Sequence, residues 1–174
     1  MEKKYVIHIL SIKAIDEETF DLPQKQNAII VCTNDKNEYV NLCLPENILV
    51  VDFLDVEDER CQGSFNGFHA RRIINFIRNL SEDVTDIYVC CSKGGSRSPA
   101  VAAALLRMSG RSDKDVWCNP YYVPNTLVYR KLCREYGFLT NKLSVWIRNL
   151  INKGAFIMAQ KGKLTKYERW QIIW

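Results

Sequence analysis

The chain is poor in histidine, with only His8 and His69, and its seven cysteines (Cys32, Cys43, Cys61, Cys90, Cys91, Cys118 and Cys133) include no C-x-x-C pair. That combination disfavours a structural zinc site, which draws its Cys and His ligands from paired spacings. An odd number of scattered cysteines with no secretion signal equally disfavours a disulfide scaffold, so most are expected to be small buried apolar residues. No stretch approaches the roughly 20 apolar residues that cross a bilayer. Charges interrupt the apolar run in MEKKYVIHILSIKAIDEE, and no small-residue cleavage site follows it. The expectation is a soluble cytoplasmic protein with no membrane partner. A net charge of +4 is too small to imply a nucleic-acid partner.

What is present is enough for one core, since 174 residues with 47% hydrophobic content suit a single domain better than two. Strands are expected at Tyr5 to Ile12, Ala28 to Thr33, Ile48 to Leu54 and Ile87 to Cys90, all rich in Val and Ile. The last two are nearly continuous apolar runs, as in strands covered on both faces. Helical spacing follows from Phe65 to Leu80, from Ser98 to Met108, and from Pro124-Asn125 to Tyr136, with Gly137 as a stop. Strands alternating with helices predict an α/β fold: a mainly parallel central sheet of four or five strands with helices on both faces.

Residues 140–174 differ from 1–139 in composition. They carry seven basic residues against one acid, Glu168, and three of the four tryptophans, Trp146, Trp170 and Trp174. Two amphipathic helices with tryptophans packed on the core and lysines in water would explain this. A surface for an anionic partner or for a second copy of the chain would explain it too.

The segment IYVCCSKGGSRSPAVAAALL, Ile87 to Leu106, passes from a buried strand through a small polar loop into an alanine-rich helix. Backbone N–H groups of a tight glycine-containing loop, with the first turn of the helix behind them, form a nest for a tetrahedral oxyanion. Arg97 can clamp two of that anion's oxygens in a fork. A thiol at a helix N-terminus beside an arginine is favoured as thiolate, so Cys91 would stand ready under a bound phosphorus and Ser98 could hydrogen-bond the sulfur. Competing loops fail on their residues. There is no G-x-x-x-x-G-K-[ST] run, Gly94-Gly95-Ser96-Arg97-Ser98 is not G-x-S-x-G, and two adjacent glycines are not a dinucleotide fingerprint.

The segment resembles the signature H-C-x-x-G-x-x-R-[ST] of the cysteine-dependent protein tyrosine and dual-specificity phosphatases, with Cys91, Gly94, Arg97 and Ser98 at matching positions. SPAVAAALL is similar to the helix after it in bacterial members, and the likeness runs from about Ile48 to Gly137 through FLDVE, HARRIINFIRNL and NPYYVPNTLVYRKL. The resemblance implies a phosphatase-like fold and hydrolysis of phosphate monoesters, of phosphotyrosine or dual-specificity type, through a Cys91 phosphocysteine. It implies no metal and no cofactor, a phosphorylated protein or small phosphorylated molecule as substrate, and Ser92, Lys93, Gly94, Gly95, Ser96 and Arg97 as the oxyanion cradle. It also places a general acid in the loop after the third strand, where the F-x-D-V frame points to Asp55, with Asp58 and Asp52 as alternatives.

One position departs from the family: Cys90 stands where histidine is usual. It is either a plain buried substitute or a thiol that captures oxidised Cys91 as a disulfide. The departure keeps a second reading open, a catalytically weak module that binds phosphorylated ligands. Lys93 either favours polyanionic substrates or is solvated at the rim, and Trp117, Tyr121 and Tyr122 either line the approach or pack.

Overall fold

The computed structural model describes residues 5–14, 26–35, 46–162 and the backbone of 171–173. Four strands, β1 (Val6–Ser11), β2 (Asn27–Thr33), β3 (Asn47–Asp52) and β4 (Asp86–Cys91), form a parallel sheet in the order β3-β2-β4-β1. A short strand, β5 (Gln171–Ile173), adds antiparallel to the outer edge of β1. The α/β class and all four predicted strands are therefore present. β2 is buried at every position, which is why its sequence NAIIVCT reads as an unbroken run rather than an alternation.

Alternation divides the strand side chains between two faces. Ile7, Ile9, Ile30, Cys32, Ile87, Val89 and Cys91 join the main core, whereas Leu10, Ile29, Val31, Tyr88 and Cys90 form a second cluster. The main core is closed by α1 (Gly67–Arg78), α2 (Arg97–Met108) and α4 (Thr126–Tyr136). The second face carries the described helical turn at residues 12–14, where Ile12 and Ala14 join the second cluster.

Local chemistry sets the helix ends. α1 begins two residues later than Phe65 because Asn66 caps it: Asn66 Oδ1 accepts from the Phe68 and His69 N–H groups, and His69 Nδ1 accepts from the Asn66 N–H at 3.1 Å. Phe65 goes instead into the core, edge-on to Phe53 with ring centroids 4.8 Å apart. α2 is buried almost all round, and Ala100, Ala102, Ala103 and Ala104 let it lie close to the sheet. α4 ends at Gly137, whose φ of 109° is the left-handed cap its glycine supplies.

In the C-terminal stretch the structure departs in part from the two-helix reading. A single helix, α5 (Lys142–Gln160), occupies most of it, and residues 171–173 are strand rather than helix. Trp146 is 57% exposed, so it does not pack on the core; Trp170 and Trp174 lie outside the described residues. α5 is held by polar contacts. Arg148 Nε donates to Asp113 Oδ2 at 3.0 Å, and Asn152 Nδ2 donates to the carbonyls of Trp117, Asn119 and Tyr122. Asp113 also accepts from Trp117 and Tyr129 at the start of a short helix, α3 (Lys114–Cys118), that the sequence did not reveal. No described helix is long and apolar enough to cross a membrane.

Candidate active site

The carboxyl ends of β3, β2 and β4 lie side by side, and ligands of open α/β sheets bind outside such ends. β4 delivers Cys91, 2% exposed, to this edge. The chain then turns tightly: the Gly94 N–H returns to the Cys91 carbonyl at 3.2 Å, with Gly94 at φ 68°. That left-handed backbone calls for glycine. Gly95 is different, because its φ is ordinary and a Cβ there would meet only the Tyr121 carbonyl oxygen, at 3.9 Å. α2 starts at Arg97, with its unpaired N–H groups and positive dipole end at the loop. Pro99 stands within that first turn, where a missing N–H costs nothing.

Cys91 Sγ and Ser98 Oγ are 3.2 Å apart and both buried. Arg97 is 5% exposed and is oriented from all three strand ends. Its Nη1 donates to Asn34 Oδ1 after β2 at 3.0 Å and to the Phe53 carbonyl after β3 at 3.1 Å, and its Nη2 donates to Ser92 Oγ after β4 at 2.8 Å. Its Nε is the one buried side-chain polar atom among the described residues that has no hydrogen-bond partner. A buried charged donor left without a hydrogen bond is costly, and an oxyanion within its reach would supply one.

Asp55 comes to the same loop from the β3 side. Its Oδ1 accepts from Ser96 Oγ and from Asn125 Nδ2, both at 2.8 Å, while Oδ2 is 4.0 Å from Arg97 Nε. Ser96, the residue before α2, makes no side-chain cap to the helix; its hydroxyl holds Asp55 instead. The other two carboxylates stand apart from the loop. Asp58 is taken by Arg60, whose guanidinium and N–H hold its carboxyl below the usual range, and Asp52 is exposed at the end of β3.

The start of α4 clamps the two loops together. Val123 and Asn125 donate their N–H groups to the Gly95 and Ser96 carbonyls at 2.8 and 3.2 Å, and the Thr126 N–H donates to Glu57 Oε1 at 2.7 Å. Asn125 does three things at once. Beyond holding Asp55, its Nδ2 reaches the Val56 carbonyl at 3.3 Å, and its Oδ1 caps α4 by accepting from the Val128 N–H at 3.1 Å. Sequence reading recognised Asn125 only as a helix start and missed Asn34 entirely.

Of the remaining candidates, Lys93 is exposed at the rim, as is Tyr121 beside Gly95. Trp117 and Tyr122 are 1% exposed and pack in the core, so they do not line an approach. Cys90 and Cys91 point to opposite faces of the sheet, Cys90 into the cluster with Val31 and Tyr88. The thiol beside Cys91 is Cys32, its register partner on β2 and on the same face. Burial first, and then the neighbouring Cys91 charge, push the Cys32 thiol far above its ordinary range. None of the six described cysteines is in a disulfide, and four of them are buried; Cys43 lies outside the described residues.

Comparison with known protein families finds none that matches this chain, and comparison with curated proteins finds no relative.

Proposed function

We propose that the chain is a phosphomonoesterase that works through a phosphocysteine on Cys91, without metal or cofactor. The observation that carries this reading is the meeting of Asp55 with the Cys91 to Ser98 loop, an acid and a nucleophile brought from the ends of separate strands to one loop with a buried arginine whose Nε has no hydrogen-bond partner. The Cys91 thiolate attacks phosphorus in line, and the ester oxygen leaves with a proton from Asp55. Oδ1 is occupied by Ser96 and Asn125, so Oδ2 is the oxygen that carries this proton. Water then attacks the phosphocysteine, giving its proton to the same Asp55, while the Ser98 hydroxyl stabilises the departing sulfur. Arg97 Nε and the loop N–H groups from Ser92 to Arg97 meet the charge on the equatorial oxygens in both steps.

Val123, whose N–H bonds the Gly95 carbonyl, and Tyr121 beside Gly95 are exposed and provide an apolar rim that suits an aryl phosphate such as phosphotyrosine on a protein or a small molecule. Free thiols throughout the described chain suit a reducing compartment, and the cytoplasm is the proposed location.

The test is aryl phosphate turnover in the presence of chelator, with single-turnover trapping of the phosphocysteine. Turnover and a trapped intermediate are expected from the native chain, and neither from Cys91→Ser, which should still bind the oxyanion. Equal activity in Cys91→Ser would overturn the mechanism, and binding with no trapped intermediate would leave a phosphate-binding module.

A further inference from the structure

α5 is amphipathic in the reverse sense. Val145, Asn152 and Ala155 face the domain, whereas Leu143, Ile147, Leu150 and Ile157 are 46–60% exposed, with Trp146 at 57% and Met158 at 42% beside them. The outward residues recur at Leu143, Ile147, Leu150, Gly154 and Ile157, alternating steps of four and three. That is the 3.5-residue seam by which one helix packs along another.

Gly154 is an independent sign. Glycine is among the poorest residues for a helix interior, yet this one lies within a 19-residue helix, and a Cβ there would meet nothing within 4 Å. No contact among the described residues requires it, while close approach of a second helix would.

The exposed area matches a dimer. At roughly 200 Å² for a fully exposed large side chain, the exposed fractions of Leu143, Trp146, Ile147, Leu150, Ile151, Ile157 and Met158 leave on the order of 700 Å² of apolar surface on α5. A monomer's largest apolar patch is about 300–600 Å², and a standard interface buries about 800 Å² per partner.

We propose that α5 is the interface of a homodimer, packed antiparallel against α5 of a second copy. The seam is complementary to itself, as a two-fold contact requires. Residues 142–161 include Lys142, Arg148, Lys153 and Lys161 but no acid. In a parallel pair Lys161, the next seam position, would meet its own copy. An antiparallel pair separates the two and brings the Lys153 flank towards the Trp146 flank of the other chain, where ammonium and indole attract. This dimer does not depend on the hydrolase reading.

Sedimentation equilibrium of the full chain tests it. The expected species has twice the 20.2 kDa chain mass and dissociates on dilution. Ile147→Glu with Leu150→Glu should give a monomer with an unchanged circular dichroism spectrum, since both side chains point outward. Gly154→Leu, which is better for the helix and whose Cβ meets nothing among the described residues, should raise the dimer dissociation constant about tenfold or more. A native chain that is monomeric at every concentration overturns the proposal, as does a dimer that survives both variants. So does a monomer that floats with phosphatidylserine vesicles, which would assign the face to a lipid surface. So does a monomer whose Leu150→Glu form melts earlier, which would assign the face to the chain's own C-terminal residues.

Discussion

The Asn125 side chain ties the candidate acid to the helix beyond the loop: Nδ2 donates to Asp55 Oδ1 at 2.8 Å while Oδ1 of the same carboxamide caps α4 at the Val128 N–H. Asn125 touches no reacting atom in the proposed reaction, so its part is positioning. Asn125→Ser should keep the cap, because serine is as good an N-cap as asparagine, yet its short side chain cannot reach Asp55. Unfolding should then change little while kcat for an aryl phosphate falls up to about 10²-fold, the scale of a catalytic group misplaced by an ångström, with KM nearly unchanged. Equal kcat in the native chain and Asn125→Ser would remove Asn125 from the site.

What the sequence made legible was contiguous or periodic. Cys91, Gly94, Arg97 and Ser98 lie within one strand, loop and helix, and each has its place from local backbone chemistry alone: a strand end, a left-handed turn, and a first helical turn. Asp55 was legible only through a motif frame, because its partner Asn125 is 70 positions away and neither residue announces the other. Asn34 and Cys32 depend on the β2–β4 register, which strand patterns do not encode. The outward face of α5 was left undecided by the sequence for a different reason. Periodicity reports that a helix has an apolar stripe, not which way it turns, and here Arg148 and Asn152 take the inward face to satisfy Asp113 and three carbonyls.

His69 gives the fold a pH dependence whose sign follows from its bonds. Its Nδ1 accepts from the Asn66 N–H, so the capped state needs neutral imidazole. Burial first, and then the Arg72 charge, hold its pKa below the ordinary value. The unfolded chain, near pKa 6.5, therefore takes a proton more readily than the folded chain. This contribution to stability is complete above pH of about 6.5 and is lost as pH falls through the lower folded value. Urea midpoints should accordingly fall on acidification below that point. In His69→Gln, where glutamine can close the same capping box without titrating, this part of the fall should be absent. An identical acid profile in the two proteins would show that His69 does not contribute.

Adjacency in sequence makes Cys90 look like the partner of an oxidised Cys91, but strand alternation sends the two side chains to opposite sheet faces. Cys32 stands directly across the β2–β4 register from Cys91, on the same face, and neighbouring strands lie about 4.8 Å apart, within the Cα separation a disulfide spans. Hydrogen peroxide would convert the Cys91 thiolate to a sulfenic acid, and the Cys32 thiol would then displace its hydroxyl as water to close an S–S bond. The high pKa of buried Cys32 makes that closure slow, so sulfinic Cys91 should accumulate beside it under strong oxidation. Peptide mass spectrometry after graded peroxide should therefore find any Cys91 disulfide joined to Cys32. In Cys32→Ser, Cys91 should pass to the sulfinic form alone, whereas Cys90→Ser should behave as the native chain. A Cys90–Cys91 disulfide in the folded protein would contradict the strand geometry on which the site rests.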